Sequence, residues 1–416
     1  MKTFLEKFKV TKPDMAPTVK YMVDTITHIC EKIGPRAPGS EAEFTAQQYM
    51  GDDMKQWADK VEYEEFIVHR QAFMGFIPFT VTMAIIATIV FFTDYPLISF
   101  ILTILGFIPL VLEFVMYKQF IDPLFIGHKS HNVIATRKPT GEIKRRVILV
   151  AHADSQYEWI LNYKLGGIGM KCFLIPGVVG LIICSIASLV KGIVVDFKGI
   201  DTPASNTFFL VVGIILCLFI VPYVGFLFLQ SFTKSVPGAN DNLSGCLGCM
   251  SVLKLLDEAG IRFEYTEVRV ILSGSEEAGL RGAKAYAKAH KDELKDVETI
   301  VVACDTLRDL KDMAVYDRDL SGTLKHNAQV KALVKKAALN CGFDLTYASI
   351  YLGACDAAAF TQAGFKATGF AAMDPTPPRY YHTRLDTPDK LCPDALEAGA
   401  QILLETVCLY DQEGLE

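Results

Sequence analysis

Charge is scarce in this sequence: Asp, Glu, Lys and Arg make up 21% of its 416 residues, where soluble domains carry about 25%. A basic excess is missing too. Lys and Arg number 41 against 47 Asp and Glu, a net charge of −6, so the chain lacks the electrostatic footprint of a nucleic-acid binder. Regular cysteine spacing is also absent. The 11 cysteines are an odd, scattered set, which excludes a disulfide framework and reads as free thiols in a reducing compartment. Cys246 and Cys249 have no second pair at zinc-ribbon spacing and are expected to pack inside a helix. The first residues, MKTFLEKFKVTKPD, contain no apolar core of signal-peptide length. What the chain has instead is apolar side chains, 51% of the total, too many for disorder or a collagen repeat.

The apolar excess is local. Gln71–Thr93, Tyr95–Leu112, Cys172–Val190 and Phe208–Leu229 carry no charge at all. A bilayer core of about 30 Å needs roughly 20 apolar residues as helix, so these runs read as four membrane spans in two hairpin-like pairs. Pro78, Pro109, Pro176 and Pro222 are compatible with that, because membrane helices tolerate proline. Glu113, just past the second run, is expected at the interface, reaching the headgroups.

Outside the runs the pattern is α/β. Buried-strand signatures occur at 145–152, 268–272 and 299–303, with helical periodicity at 17–33, 41–57, 243–259, 278–292, 327–340 and 394–411. Strands alternating with helices imply a mixed or parallel sheet covered on both faces, a three-layer arrangement. The expected organisation is one catalytic domain made of 1–70, 118–168 and 234–416, interrupted by membrane hairpins at 71–117 and 169–233.

Metal-ligating residue types gather where such sheets place active residues, at the carboxyl ends of strands. His152 and Asp154 follow the first signature strand. Asp241 lies in the Gly-containing turn Pro237–Gly245, Glu276 and Glu277 follow Ser-Gly274, Asp305 follows Cys304, and His382 lies in Tyr-Tyr-His-Thr-Arg-Leu-Asp386-Thr. Two histidines and several carboxylates suit zinc. Taken singly, each could be a helix cap or a satisfied polar residue; together and in this order they point to one metal site.

That order, His-x-Asp, Asp-Asn, Ser-Gly-x-Glu-Glu, Asp and Tyr-His-Thr-x-x-Asp-Thr, resembles the co-catalytic di-zinc aminopeptidases of the aminopeptidase S/Y type. Ile33-Gly-Pro-Arg-Ala-Pro-Gly-Ser40 and Asp356 with Phe360 and Gly364 are similar to that family as well. The resemblance implies a zinc-exopeptidase sandwich and two Zn2+ ions. His152 and Asp305 would complete one, Glu277 and His382 the other, and Asp241 would bridge. Glu276 would be the general base toward the zinc-activated water. Asp154 and Asp386 would orient the two histidines, and Tyr381, or equally Tyr380, would bond the oxyanion. It also implies a cis peptide after Asp241. The family usually has His after the aspartate matching Asp356; here the residue is Ala357.

The expected activity is that of a membrane-embedded aminopeptidase, with a peptide bearing a free N-terminus and the lipid bilayer as partners. Glutaminyl cyclisation or another zinc-hydrolase chemistry on the same scaffold is the alternative enzyme. A metal-free receptor is the alternative outside enzymes, although no ligand of the set is missing. Lys60, Arg70, Lys118, Lys129, Lys164, Lys171 and Lys234 flank the spans on the catalytic side, against Lys191 and Lys198 on the other, so the catalytic domain and both termini are expected in the cytoplasm. Tyr157 and Trp159, just past His152, are expected in surface or interfacial packing rather than in a specificity pocket.

Overall fold

Strict alternation along three central strands decides the layering. In a computed structural model of the protein, Val147, Leu149 and Ala151 point into one apolar core while Ile148 and Val150 point into another on the opposite face. Ile300 and Val302 against Val301 and Ala303 repeat the pattern, as the period of two in a strand requires. The structure describes residues 2–8, 14–350, 353–374, 376 and 378–415, so residues 1 and 9–13 of the N-terminal stretch lie outside the described residues.

The strands are β1 (Lys60–Val68), β2 (His128–Arg137), β3 (Arg145–His152), β4 (Thr266–Ser273), β5 (Glu298–Leu307), β6 (Met313–Asp319), β7 (Leu324–Lys325), β8 (Thr346–Ser349) and β9 (Lys366–Ala372). They form one sheet in the order β1-β2-β4-β3-β5-β9-β6-β7, with β8 beside β6. β3 runs parallel to β4 and β5, and β5 parallel to β9, while β2 and β6 join antiparallel. The sheet is therefore mixed, as its sequence pattern implies. Helices Ala16–His28, Glu41–Met54, Gly245–Glu258, Ala328–Asn340 and Pro393–Glu413 cover the first face. Arg281–Ala289 and Asp356–Gln362 cover the second, and the bases of the apolar helices pack there too. Ala357 is buried in that second core, so the position where the resembled family has His faces packing and not the strand ends.

Four helices, Ala72–Val90, Pro96–Val115, Ile160–Phe197 and Pro203–Phe226, are long and apolar enough to cross a membrane. Their outward residues are large and apolar, among them Phe79, Ile89, Ile101, Ile186, Phe208 and Ile214. Between them, large apolar side chains such as Phe91, Phe209 and Leu216 are joined by small and polar contacts, of the kind that helices use where no water competes. Thr80 Oγ1 donates to the Gly106 carbonyl at 2.8 Å, and Ser99 Oγ lies 2.7 Å from Ser188 Oγ. The third helix begins at Ile160, well ahead of its charge-free run, and is interrupted at Gly166, whose φ of +72° departs from helical geometry. The fourth is interrupted after Cys217 and resumes at Ile220, because Pro222 cannot donate to the carbonyl four residues back.

Glu113 departs from expectation. It is fully buried, its Oε1 accepts from the Ile121 N–H at 2.7 Å, and its Oε2 lies 3.5 Å from Arg281. The carboxylate faces the protein, not the headgroups, because a cation in the helix behind it offers a partner that lipid does not.

His290, at the end of helix Arg281–Ala289, ties that helix to β1. Its Nε2 lies 2.6 Å from Glu64 and its Nδ1 2.7 Å from Glu293. The Glu64 hydrogen bond, opposed by burial and aided by Glu293, raises its pKa above the usual value. A raised folded pKa gives stability that is present below the unfolded value of about 6.5 and lost as pH rises through the folded one. His290→Gln is therefore expected to cost more at pH 6 than at pH 9, by under about 1 kcal/mol for so solvated a group, as read by paired denaturant melts in detergent.

Candidate metal centre

Parallel strands deliver the site. His152 ends β3, Asp305 lies near the end of β5, and Glu276 and Glu277 sit in the loop that leaves β4. Asp241 belongs to the Ala239–Ser244 segment that returns from the fourth apolar helix, and His382 to the loop after β9. All of these are brought together. His152 Nε2 lies 3.3 Å from Asp241 Oδ1, 3.8 Å from Asp305 Oδ1 and 4.0 Å from Glu276 Oε2. His382 Nε2 lies 3.0 Å from Asp241 Oδ2 and 3.2 Å from Glu277 Oε1. Asp241 thus turns one oxygen to each histidine. The Asp241–Asn242 peptide is cis, as the resemblance implies.

The electrostatics follow from packing carboxylates out of water. Burial, with Glu277, Asp356 and Asp305 close by, pushes Glu276 well above the carboxylate range despite His152. Burial and Asp241 lift Glu277 to about 7 against the pull of His382. Burial alone would lower His382, but Glu277 and Asp241 raise it to about 9. Burial would raise Asp241, yet its two histidine partners hold it below the usual range.

The donor set fits divalent metal. His152–Asp241–Asp305, His152–Glu276–Glu277 and Asp241–Glu277–His382 each bring ligand atoms within 4.8 Å of one another. Asp241 Oδ2 and Glu277 Oε1 are buried and both crowd the single nitrogen His382 Nε2, and buried polar atoms of that kind call for a further partner. A further cluster, Asp319, His326 and Cys355, is different. There Cys355 Sγ and His326 Nε2 both face Asp319 Oδ2, and His326 Nδ1 meets Thr361, so its groups satisfy one another as a hydrogen-bond network.

Supporting residues divide into the expected and the unexpected. Asp154 accepts the backbone N–H groups of Glu276 and Glu277, both at 3.0 Å, and lies 3.4 Å from His152 Nδ1. Asp386 does not reach His382. It accepts from Asn240 N, Asn240 Nδ2 and Asp241 N at 2.9, 2.6 and 3.0 Å, so it fixes the backbone of the shared aspartate, whose N–H groups lie nearer than the imidazole. Tyr380 donates to Asp309 at 2.7 Å, while the Tyr381 ring stacks on His382 at 3.7 Å and lines the same cavity as Glu276. Trp159 is buried, with its edge to His382 at 4.5 Å, and lines that cavity too. Tyr157 is buried and bridges to Ser235. Neither is a surface residue, because the chain between β3 and the third apolar helix runs across the site before it leaves.

Three supporting residues escape sequence reasoning. Gln156 Nε2 donates to Glu277 Oε2 at 2.6 Å, and an amide two residues past His-x-Asp carries no signal of its own. Arg36 is buried and donates to the carbonyls of Ala153, Gly34, Pro237 and Gly238, joining the segments that carry His152 and Asp241. Glu43 accepts from Gly39, Ser130 and Ser275, and burial lifts its pKa to about 8. Both lie in or beside the Gly-Pro-Arg segment, which was the available clue.

Comparison with known proteins agrees with this geometry. The model of peptidase family M28 matches residues 225–407. No curated protein matches the chain. Among solved structures, the aminopeptidase from Aneurinibacillus sp. strain AM-1 is 16% identical, covering 94% of this chain and 93% of that one with a TM-score of 0.55. The zinc aminopeptidase of Bacillus subtilis is 15% identical, covering 96% of each chain at 0.55. A glutaminyl cyclase from Fimbriiglobus ruber is 15% identical, covering 96% and 98% at 0.56. At these identities the likeness is one of fold. The segment 225–407, which carries Asp241, Glu276, Glu277, Asp305 and His382, matches the model of peptidase family M28, and the mixed sheet around it is similar to the fold of the zinc exopeptidases.

Proposed function

We propose that the chain is a membrane-embedded metallo-aminopeptidase that uses two zinc ions to remove N-terminal residues from peptides with a free N-terminus. The observation that carries this reading is the division of Asp241 between His152 and His382. One carboxylate shared by two donor sets suits a pair of divalent ions. His152 and Asp305 would hold one ion, Glu277 and His382 the other, and Asp241 both. When bound, the ions supply Lewis acidity toward a peptide carbonyl and acidify water.

The chain's own groups do the rest. Glu276 takes a proton from the attacking water on its carboxylate and returns it to the leaving amine. Tyr381 donates its hydroxyl to the carbonyl oxygen as that atom gains charge. Asp154 holds the Glu276–Glu277 backbone so that one carboxylate serves metal while the next faces the cavity. That cavity is small, about 30 Å³, and is lined by Phe73, Met74, Phe114 and Tyr117, so the chain beside Glu276 meets apolar side chains.

Removing metal with a chelator is expected to abolish cleavage of leucyl-p-nitroanilide by detergent-solubilised protein, and adding zinc to restore it. Metal content should approach two ions per chain. The cyclase alternative rests on the equally good structural likeness to a glutaminyl cyclase; it expects one zinc and pyroglutamate formation on N-terminal Gln peptides. A chain that binds no metal would be the receptor alternative.

The proposed organisation places hairpins 71–117 and 169–233 in the bilayer and the catalytic segments in the cytoplasm, on the lysine and arginine bias. Lys295 and Asp296 are exposed on the catalytic domain. A cysteine introduced at Lys295 is expected to resist impermeant maleimide in intact cells and to react after permeabilisation. Ready labelling from outside would reverse the orientation.

A further inference from the structure

Tyr381 lines two cavities, not one. On one side lies the small cavity with Glu276, capped by Phe73 and Met74 from the first turn of the first apolar helix and by Phe114 from the end of the second. On the other lies a cavity of about 380 Å³, between the third apolar helix and the β6–β8 edge of the sheet. Leu174, Ile175, Tyr316, Ile350 and Met373 form its apolar walls, and Lys171, Lys311, Asp312 and Asp374 border it. Lys171 is the last charge before the uncharged run 172–190, so Leu174 and Ile175 stand where the chain passes into its membrane-spanning part. Ile175 is 55% exposed. Both cavities therefore have a wall where a charge-free helical run begins or ends, and they meet at a residue beside the candidate metal donors.

We propose that the larger cavity holds the residues that follow the scissile bond, and that the substrates are apolar peptides lying at the bilayer surface, such as fragments of membrane segments. This rests on the aminopeptidase reading. A polar peptide arriving from water would leave Leu174, Ile175 and Met373 without apolar partners. An apolar tail covers them and crosses no aqueous gap on its way from the membrane. Charged groups of both signs border the cavity, so neither an acidic nor a basic tail is selected by net charge. Selection falls to the apolar wall, where each well-buried side chain discriminates by about tenfold or more.

The test uses the full chain in nanodiscs with three substrates that share an N-terminal Leu: leucyl-p-nitroanilide, a hexapeptide with an apolar tail and one with a Ser/Gly/Gln tail. The apolar peptide is expected to exceed the polar one in kcat/KM by about tenfold or more. In the Leu174→Asn/Ile175→Asn variant, and separately in Met373→Gln, that ratio should fall several-fold; as a ratio within one preparation it does not depend on how much protein is folded. Equal use of both peptides by the natural chain, or a ratio unmoved in both variants, overturns the proposal. Loss of leucyl-p-nitroanilide hydrolysis in the natural chain would instead refute the aminopeptidase reading. A second readout needs no turnover: the apolar peptide carrying photo-leucine at its third residue should crosslink to the Lys171–Ile175 segment, and crosslinking confined to other segments overturns the proposal.

Discussion

Glu276→Gln is expected to lower kcat on leucyl-p-nitroanilide by roughly 10² to 10⁴-fold, the usual worth of a positioned general base, while metal content stays at two ions per chain. The amide is nearly isosteric, and the Glu276 backbone N–H keeps its bond to Asp154 at 3.0 Å. What disappears is the ability to take a proton at that position. The two donor sets that share Asp241 do not contain Glu276, but a third set, His152–Glu276–Glu277, does. Metal analysis of the variant separates the roles. Two ions with almost no turnover assign Glu276 to proton transfer, one ion assigns it to metal, and near-normal turnover refutes both.

The second large effect is expected at Arg281, where Arg281→Met should destabilise the protein by about 3–5 kcal/mol, the range for removing one partner of a buried ion pair. Arg281 is buried, lies 2.7 Å from Asp122 and 3.5 Å from Glu113, and follows the Glu276–Glu277 loop closely in the chain. Without the guanidinium, Glu113 keeps backbone hydrogen bonds from Ile121 and Phe120 but loses the cation that faces it in a closed site. Glu113→Gln/Asp122→Asn/Arg281→Met should recover much of the loss, since neutral groups need no counter-charge. Thermal denaturation in a fixed detergent measures both. A single variant as stable as the natural chain would show that the pair contributes nothing.

The cluster of His, Asp and Glu side chains was legible in the sequence because metal chemistry restricts residue type and the fold restricts position. Only His, Asp, Glu and Cys serve zinc well, and parallel strands gather such residues at one edge. The strands of the sheet were legible for a similar reason: Val147–Ala151 and Ile300–Ala303 are apolar on both faces, a pattern that buried strands produce. Partnerships across the chain were not legible. Glu113 and Arg281 are 168 positions apart, and no local pattern joins a carboxylate at the end of a span to an arginine in a soluble helix. Asp386 and Trp159 show the same limit. Each was recognisable as a polar or aromatic residue near the site, but what it touches depends on loops that two apolar insertions bring together.

The break at Gly166 has a mechanical consequence. Ahead of it, Trp159 N–H donates to the His382 carbonyl at 2.7 Å and Asn162 to the Tyr381 carbonyl at 2.8 Å, so this short piece is fastened to the metal centre. Beyond it the helix continues through the apolar run. No atom stands within 4 Å of where a Gly166 side chain would begin, so its positive φ alone calls for glycine. At its leading end the second hairpin thus meets the site through a swivel, whereas the first meets it through Arg281 and through Lys284, which bonds the carbonyls of both Tyr117 and Gly279. Tilting of the apolar helices is therefore expected to be absorbed at Gly166 on the His382 side and transmitted through Arg281 on the Glu276 side.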